Sequence, residues 1–206
     1  MTRAALGAAG TMLIIISGPS GVGKDTIIAA LRRRRHDPDF HYIVTCTTRM
    51  PRHGETDGVD YRFVSRASFD ELRDAGELLE WAEVHGHWYG TPRHDVVSAL
   101  QAGRDVILKI DVQGARSVKS RVPHALLVFV VPPSLETLFA RLRSRATESA
   151  DELGVRQRNA AIELARQEDY DHVVVNETGQ VDRTAERIDA IVAAERARHP
   201  RRRIRL

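Results

Sequence analysis

The 206-residue sequence has a single cysteine, Cys46, so no disulfide can form within the chain. A lone cysteine is usually a small apolar core residue, and we expect no chemistry from it. Aromatic residues make up only 5% of the chain, which argues against a nucleic-acid surface built from stacking side chains. The apolar run at 12–16 is far too short to cross a bilayer, and no clear secretory signal precedes it. We therefore expect a soluble, cytoplasmic protein with no membrane or nucleic-acid partner.

The chain is slightly basic, with 31 Lys and Arg residues against 28 Asp and Glu residues. The arginines concentrate in two runs, at 32–35 and at 196–205. We interpret the first run as the solvated end of the first predicted helix, where cations complement the helix dipole. The second run is expected to be a disordered basic tail.

Short apolar runs alternate with helical patterns along most of the chain. Four runs, at 12–17, 105–111, 125–131 and 173–175, have the length and continuity of buried strands. Alternation of strands and helices indicates a parallel sheet covered by helices on both faces. The sequence thus predicts the α/β class, with three layers around a central parallel sheet.

The stretch from about 43 to 92 breaks this alternation, because short strands and turns of mixed β character surround one short helix. Ser68 and Glu71 have capping-box spacing, so we expect that helix to begin near Ser68. Thr91 and Pro92 are expected to start the next helix as its N-cap and first residue, and Gly103 to end it. These features divide the chain into an N-terminal extension (1–11), one domain (12–195) with core segments 12–42 and 93–195, an insertion (about 43–92), a lid (about 141–157) and a basic tail (196–206).

A glycine-rich motif follows the first predicted strand and opens a helix. In this context the glycines let backbone N–H groups converge on phosphate oxygens, and the helix N-terminus adds its dipole. Lys24 is expected to bridge the β- and γ-phosphates of a nucleoside triphosphate. The predicted triphosphate site comprises Gly18, Pro19, Ser20, Gly21, Val22, Gly23, Lys24, Asp25 and Thr26.

The residue after the lysine is normally Ser or Thr, whose hydroxyl binds Mg²⁺. Here it is Asp25, followed by Thr26. A carboxylate is a hard oxygen ligand, so Asp25 is the candidate magnesium ligand, with most of the ion's coordination left to phosphates and water.

Five further stretches occur in an order and spacing that resemble the guanylate kinase family, over Leu13 to about Ala193. They are TTRMPRHGE (47–55), DGVDYRFV (57–64), GELLEWA (76–82), YGTP (89–92) and IDVQG (110–114). The resemblance implies a P-loop nucleoside monophosphate kinase of purine metabolism that transfers a phosphoryl group from ATP to GMP with Mg²⁺. Its partners would be these two nucleotides, and the protein would be a monomer or a homodimer.

The resemblance also implies how GMP would be bound. The phosphate would be held by arginine forks and by hydroxyl donors, namely Arg49, Arg52, Tyr61, Tyr89 and Thr91. Glu80 and Asp111 would accept hydrogen bonds from the guanine N1–H and amine, and Thr45 matches a third base-contacting position. Adenine lacks these donors, so a buried carboxylate would be left unpaired with AMP.

Further matches concern the lid and the adenine of ATP. Arg141, Arg145 and Arg156 match the family's lid arginines, which with Lys24 and Arg49 would stabilise charge on the transferring phosphoryl group. Arg158 lies near Arg156, and helix geometry does not choose between them. Asn176 falls where the family approaches adenine.

Two residues depart from the family pattern, Asp25 after the lysine and Lys109, where an acidic residue usually precedes Ile-Asp. The end of this strand lies close to the phosphate loop in such folds, so we hypothesise that the two residues form an ion pair. The alternative is that the two changes are unrelated.

Three other functions remain open on the sequence. A ribose bisphosphate kinase would share the phosphate loop, and some carry Asp after the lysine, but it needs no guanine-reading carboxylates. A non-catalytic guanylate-kinase-like module that binds phosphopeptides would tolerate Asp25, but such modules usually have a damaged phosphate loop. A nucleic-acid-binding function rests only on the basic tail.

Overall fold

The computed structural model describes residues 10–34, 39–144, 150–200, 204 and 206, with side chains described up to 143 and again from 154 around the gap. Strands in these parts are β1 (Leu13–Ser17), β2 (Phe40–Tyr42), β3 (Cys46–Thr47), β4 (Arg62–Phe63), β5 (Leu78–Val84), β6 (His87–Pro92), β7 (Asp105–Lys109), β8 (Leu126–Val131) and β9 (His172–Val175). Helices are α1 (Lys24–Arg33), α2 (Arg66–Asp74), α3 (Arg93–Gln101), α4 (Val112–Arg121), α5 (Leu135–Ser144), α6 (Ala150–Leu164) and α7 (Val181–Arg198).

The main sheet has five parallel strands in the order β2-β7-β1-β8-β9. Strand β1 lies at its centre and is fully buried, as its unbroken apolar sequence predicts. This confirms the α/β class with a central parallel sheet. Strand β2 was missed, because a half-buried three-residue segment at the sheet edge has no long apolar run.

Helices cover both faces of this sheet. Ile14 and Ile16 pack in one apolar cluster with side chains of α1, α5 and α7, whereas Leu13 and Ile15 pack in a second cluster with side chains of α3 and α4. Alternate residues of a strand point to opposite faces, so one strand contributes to both clusters. The three predicted layers are therefore present.

A second sheet of four strands, in the order β4-β3-β6-β5, lies in the segment predicted as an insertion. Its small core contains Cys46, Phe69 and Leu78, which agrees with the apolar role expected for Cys46. The helix predicted to begin near Ser68 instead begins at Arg66, because Ser65 is the N-cap and its hydroxyl accepts a hydrogen bond from the Ser68 amide. The helix therefore begins within two residues of the predicted position, but its N-cap is Ser65 rather than Ser68.

The predicted start of α3 was also wrong. Thr91 and Pro92 end strand β6, and α3 begins at Arg93 with Pro92 as its N-cap. Thr91 does not cap the helix, because its hydroxyl donates a hydrogen bond to the Glu80 carboxylate instead. Gly103 follows the end of the helix with φ of 76°, as the sequence predicted.

The two arginine runs are more structured than expected. Arg34 forms ion pairs with Asp189 and Glu186 of α7, so it is not simply solvated. Helix α7 continues to Arg198, and Arg196 pairs with the fully buried carboxylate of Asp105. The prediction of a disordered tail is therefore wrong for the part of it that the structure describes.

The lid prediction falls partly outside the described residues, because Arg145 lies in the segment that is not described. Arg141 and Arg156 lie on α5 and α6 respectively. No helix in the described ranges is long and apolar enough to cross a membrane.

Candidate active site

A cleft opens where the ends of β1 and β7 face the second sheet. In parallel α/β folds this end of the strands is the usual ligand site. Many predicted site residues line the cleft, namely Gly18, Ser20, Gly21, Val22, Gly23, Lys24, Asp25, Thr45, Arg52, Tyr61, Glu80, Tyr89, Asp111 and Arg156.

The phosphate loop connects β1 to α1 and requires glycine at specific positions. Gly18 has φ of 148°, and a Cβ atom there would lie 2.3 Å from the Val130 carbonyl oxygen. Gly23 has φ of 101° and immediately precedes the first residue of α1, Lys24. The loop therefore presents its backbone at a helix N-terminus, where anions are stabilised.

Lys24 lies against the phosphate loop itself. Its ammonium donates hydrogen bonds to the carbonyl oxygens of Gly18 at 2.5 Å and Pro19 at 3.1 Å. Burial lowers the pKa of Lys24, whereas the carboxylates of Glu163 and Asp25 raise it. The ammonium is thus held within the loop by both carbonyl and carboxylate groups.

Helix α6 places two charged side chains on Ser20. The Arg156 guanidinium donates to the Ser20 hydroxyl at 3.0 Å, and a Glu163 carboxylate oxygen accepts from the Ser20 amide at 3.2 Å. Arg156 is buried and lines the cleft, whereas Arg158 is exposed, so the structure favours Arg156. Sequence reasoning missed Glu163, although it lies seven residues after Arg156 and therefore on the same helix face.

Arg141 and Asn176 lie behind the phosphate loop and do not line the cleft. Arg141 donates to the carbonyl oxygens of Val22 at 3.2 Å and Asn176 at 3.1 Å. The Asn176 amide also donates to Val22, at 2.8 Å, and its oxygen accepts from the Thr184 hydroxyl. Both side chains therefore hold the loop from its outer side.

The predicted GMP-phosphate residues gather in the second sheet and its loop. Both Nη atoms of the Arg49 guanidinium donate hydrogen bonds to the Glu55 carboxylate, each at 2.9 Å. The guanidinium also lies 5.3 Å from the centroid of the Tyr61 ring. The Tyr61 and Tyr89 rings meet edge to face at 6.0 Å. Sequence reasoning missed the role of Glu55, whose carboxylate fixes the orientation of the guanidinium fork.

The predicted base-reading residue Glu80 is buried, with only 2% of the residue exposed. Burial raises the pKa of its carboxyl to about 8, although the hydrogen bond from the Thr91 hydroxyl at 2.5 Å acts in the opposite direction. The structure thus places Thr91 beside this carboxyl, whereas the sequence predicted it at the phosphate. A Cβ atom at Gly114 would lie 2.5 Å from a Glu80 oxygen, which explains the glycine there.

Asp111 is the N-cap of α4. Its Oδ1 atom accepts hydrogen bonds from the amides of Gln113 at 2.7 Å and Gly114 at 3.1 Å. These bonds fix the carboxylate at the edge of the cleft, next to Glu80. Thr45, the third predicted base contact, is buried and also lines the cleft.

The ion pair predicted between Asp25 and Lys109 is confirmed, with the Lys109 Nζ atom 2.6 Å from Asp25 Oδ1. The ammonium also lies 4.2 Å from the centroid of the Tyr61 ring. Within the described ranges no three or more His, Cys, Asp or Glu side chains form a metal-binding group. The Thr26 hydroxyl donates a hydrogen bond to the Gly23 carbonyl oxygen at 2.7 Å, and Asp25 supplies a carboxylate in the first turn of α1.

Comparisons with known proteins agree with this geometry. The family model described as guanylate kinase matches residues 10–195. The guanylate kinase of Thermobifida fusca is 49% identical over 182 residues, covering 88% of this chain and 91% of the relative. That of Halalkalibacterium halodurans is 44% identical, covering 92% of this chain and 91% of the relative. The crystal structure of guanylate kinase from Anaplasma phagocytophilum superposes with a TM-score of 0.73 at 33% identity, covering 91% of this chain and 87% of that one.

Proposed function

This chain belongs to the guanylate kinase family, so its reaction is the ATP-dependent phosphorylation of GMP, and we propose how the side chains of the cleft divide that work. The observation that carries the proposal is one cleft with a phosphate loop on one wall and a buried carboxyl group, Glu80, on the other. The loop suits the triphosphate of ATP, and the carboxyl group suits the donor edge of guanine.

ATP binds along the phosphate loop in this proposal. The loop amides and the N-terminus of α1 receive the β- and γ-phosphates, and Lys24 exchanges its loop carbonyl partners for phosphate oxygens. Arg156 already reaches Ser20 from α6 and is placed to contact the transferring group. Arg141 and Asn176 keep the loop in shape from behind, and Asn176 remains our candidate for the adenine side.

GMP binds across the cleft from ATP. Glu80 and Asp111 accept the guanine N1–H and amine, and Thr45 lies on the same wall. Arg49, Arg52, Tyr61 and Tyr89 hold the phosphate, with the Arg49 fork turning from Glu55 to phosphate oxygens. Thr91 contributes through its hydrogen bond to Glu80.

The chemical step is an in-line displacement. A GMP phosphate oxygen forms a bond to the γ-phosphorus of ATP as the bond from that phosphorus to the β,γ-bridging oxygen breaks, giving GDP and ADP. The bridging oxygen leaves with the electron pair, and no side chain has to act as a nucleophile. The protein contributes positioning and positive charge, for which Lys24, Arg49 and Arg156 are the candidates.

We include Mg²⁺ in the proposal as an ion held mainly by ATP phosphates and water. The described residues fit this arrangement, because they offer the Asp25 carboxylate but no multi-ligand protein cage. Bound in this way, the ion neutralises phosphate charge. The proposal also retains a cytoplasmic location, a monomer or homodimer, and closure of the lid at about 141–157.

The test is a coupled assay of ADP formation with ATP, Mg²⁺ and each of GMP, AMP, CMP, UMP and ribose 1,5-bisphosphate. We expect turnover with GMP alone, and a rise in melting temperature with GMP but not with AMP. Turnover of the ribose bisphosphate in preference to GMP would overturn the assigned base-reading roles. GMP binding without ADP formation would instead indicate a non-catalytic binding module.

A further inference from the structure

Lys109 lies at the junction between the two halves of the cleft. It ends strand β7 of the main sheet, and its side chain is only 15% exposed. On one side its ammonium pairs with Asp25 in the first turn of α1, and on the other it lies over the ring of Tyr61. It therefore contacts one residue of the ATP side and one residue of the proposed GMP-phosphate side.

Lys109 is a buried ammonium whose pKa burial lowers, but Tyr61 and Asp25 raise that pKa above its usual value. Arg49 lies near the same Tyr61 ring, so that ring has a cation from each half of the cleft close to it. Burial lowers the pKa of Lys24, the carboxylates of Glu163, Asp25 and Asp111 raise it, and the positive charge of Lys109 makes the smallest contribution by lowering it. Cations gathered in one cleft are stabilised when phosphate anions lie between them.

The ion pair neutralises a largely buried lysine at the floor of the cleft. The Asp25 side chain is 57% exposed, so the paired end of Lys109 lies close to solvent in the cleft. Both partners line the cleft, and both also line a second depression beside α1. The lysine ammonium is a point charge on a flexible four-carbon stem, so it can turn from the carboxylate toward a phosphate oxygen.

We propose that Lys109 is a catalytic residue that contacts the phosphates of GMP and of the transferring group, and that Asp25 is the positioning residue that holds it there. The inference rests on the proposed function, because it needs both phosphates in this cleft. As the new P–O bond forms and the bridging bond breaks, charge is redistributed over the oxygens between the two nucleotides. An ammonium at that point offsets the charge, and no proton or electron leaves it.

The main test replaces Lys109 with the unbranched, uncharged methionine. We expect kcat of Lys109→Met to fall by about 100-fold, as for removal of other preorganised donors. Lys109→Arg should restore at least a tenth of the wild-type kcat, because it keeps the charge. The matched control is Lys119→Met, which removes a lysine paired with Asp171 at 3.0 Å on the other side of α4 and should leave kcat within twofold.

A binding measurement separates phosphate contact from general damage. By calorimetry without ATP or metal, Lys109→Met should bind GMP about tenfold more weakly, as expected for loss of one charged hydrogen bond. Its affinity for guanosine, which has no phosphate, should be unchanged. Equal weakening of GMP and guanosine, or a kcat within twofold of wild type, would overturn the proposal.

The role of Asp25 is tested by a double-mutant cycle. If Asp25 acts through Lys109, then Asp25→Asn should lower kcat of the wild type but have little further effect in the Lys109→Met background. If the kcat losses of the two single variants multiply in the double variant, Asp25 acts independently of Lys109, for example on the metal, and has no positioning role. Failure of the wild type to bind GMP would refute the proposed function itself rather than the role of Lys109.

Discussion

Replacement of Glu80 with glutamine should stabilise the protein at alkaline pH and weaken its binding of GMP. The carboxyl is 2% exposed, and burial raises its pKa from 4.5 to about 8. Glutamine keeps the shape and still accepts a hydrogen bond from the Thr91 hydroxyl, but it carries no charge. The variant therefore removes a buried group that becomes anionic at high pH.

The magnitude follows from the two pKa values. Between pH 4.5 and about 8 the folded protein binds a proton at Glu80 that the unfolded chain has released. Stability therefore falls as pH rises through this window, by about 1.4 kcal/mol for each pH unit, and levels off above it. The stability gap between Glu80→Gln and the wild type should widen at that rate, to a few kcal/mol in total.

Although Glu80→Gln should stabilise the fold, it should weaken the binding of GMP. Guanine offers two donors, and the glutamine amide presents one acceptor and one clashing donor, so affinity should fall by about 100-fold or more. The wild type must ionise Glu80 to accept both donors. It should therefore release nearly one proton for each GMP bound at pH 7, as expected for a carboxyl with a pKa of about 8.

Urea denaturation of both proteins at pH 5.5 and 8 measures the stability gap, and calorimetry in two buffers of different ionisation enthalpy counts the protons. Glu77→Gln makes the same change at an exposed carboxyl just before β5, outside the cleft, and is the matched control. A gap for Glu80→Gln that does not change with pH, together with no proton release on GMP binding, would refute the reasoning.

Three further changes test other parts of the structure. Thr91→Val removes the hydroxyl hydrogen bond that favours the ionised form of Glu80. When GMP affinity is measured against pH, its midpoint should therefore shift to higher pH, with roughly tenfold weaker binding at pH 7. Arg49→Lys keeps the charge but loses the planar fork, so kinetics should show kcat/KM for GMP lowered about 100-fold with little change in KM for ATP. Arg196→Ala leaves the buried Asp105 carboxylate without this ion pair, so urea denaturation should show a loss of stability of about 3–5 kcal/mol. A loss below about 1 kcal/mol would contradict a stabilising role for the pair.

Local sequence was enough to predict the phosphate loop and the central strands. Gly18 and Gly23 have backbone angles or neighbours that favour glycine, so the loop is visible in the sequence as conspicuous glycines. Strand β1 is buried on both faces, so it is visible as an unbroken apolar run. The Asp25–Lys109 contact was predictable across 84 positions because both residues depart from a known pattern at sites that adjoin in this fold.

The contacts of α6 were not predictable in the same way. Glu163 reaches the Ser20 amide across 143 positions, and only the packing of α6 on the loop creates that contact. Thr91 was misassigned because Thr-Pro before a helical pattern is also a good cap signal, and only the pairing of β5 with β6 brings its hydroxyl to Glu80. The contacts of Glu163 and Thr91 therefore depend on long-range packing, which local sequence preferences do not predict.

Three cations in or beside the cleft have a carboxylate already nearby. Glu55 holds the Arg49 fork, Asp25 holds Lys109, and Glu163 of α6 lies near Lys24. A phosphate that binds these cations exchanges one anion for another, so its contribution to affinity is a difference rather than a full Coulomb energy.

Glu80 differs, because a hydroxyl rather than a cation holds it and burial disfavours its charge. Its ionised form gains two hydrogen bonds only from a ligand with two donors in the right place. Discrimination between purine bases should therefore be concentrated at Glu80, while the phosphate contacts mainly set the alignment of the two nucleotides.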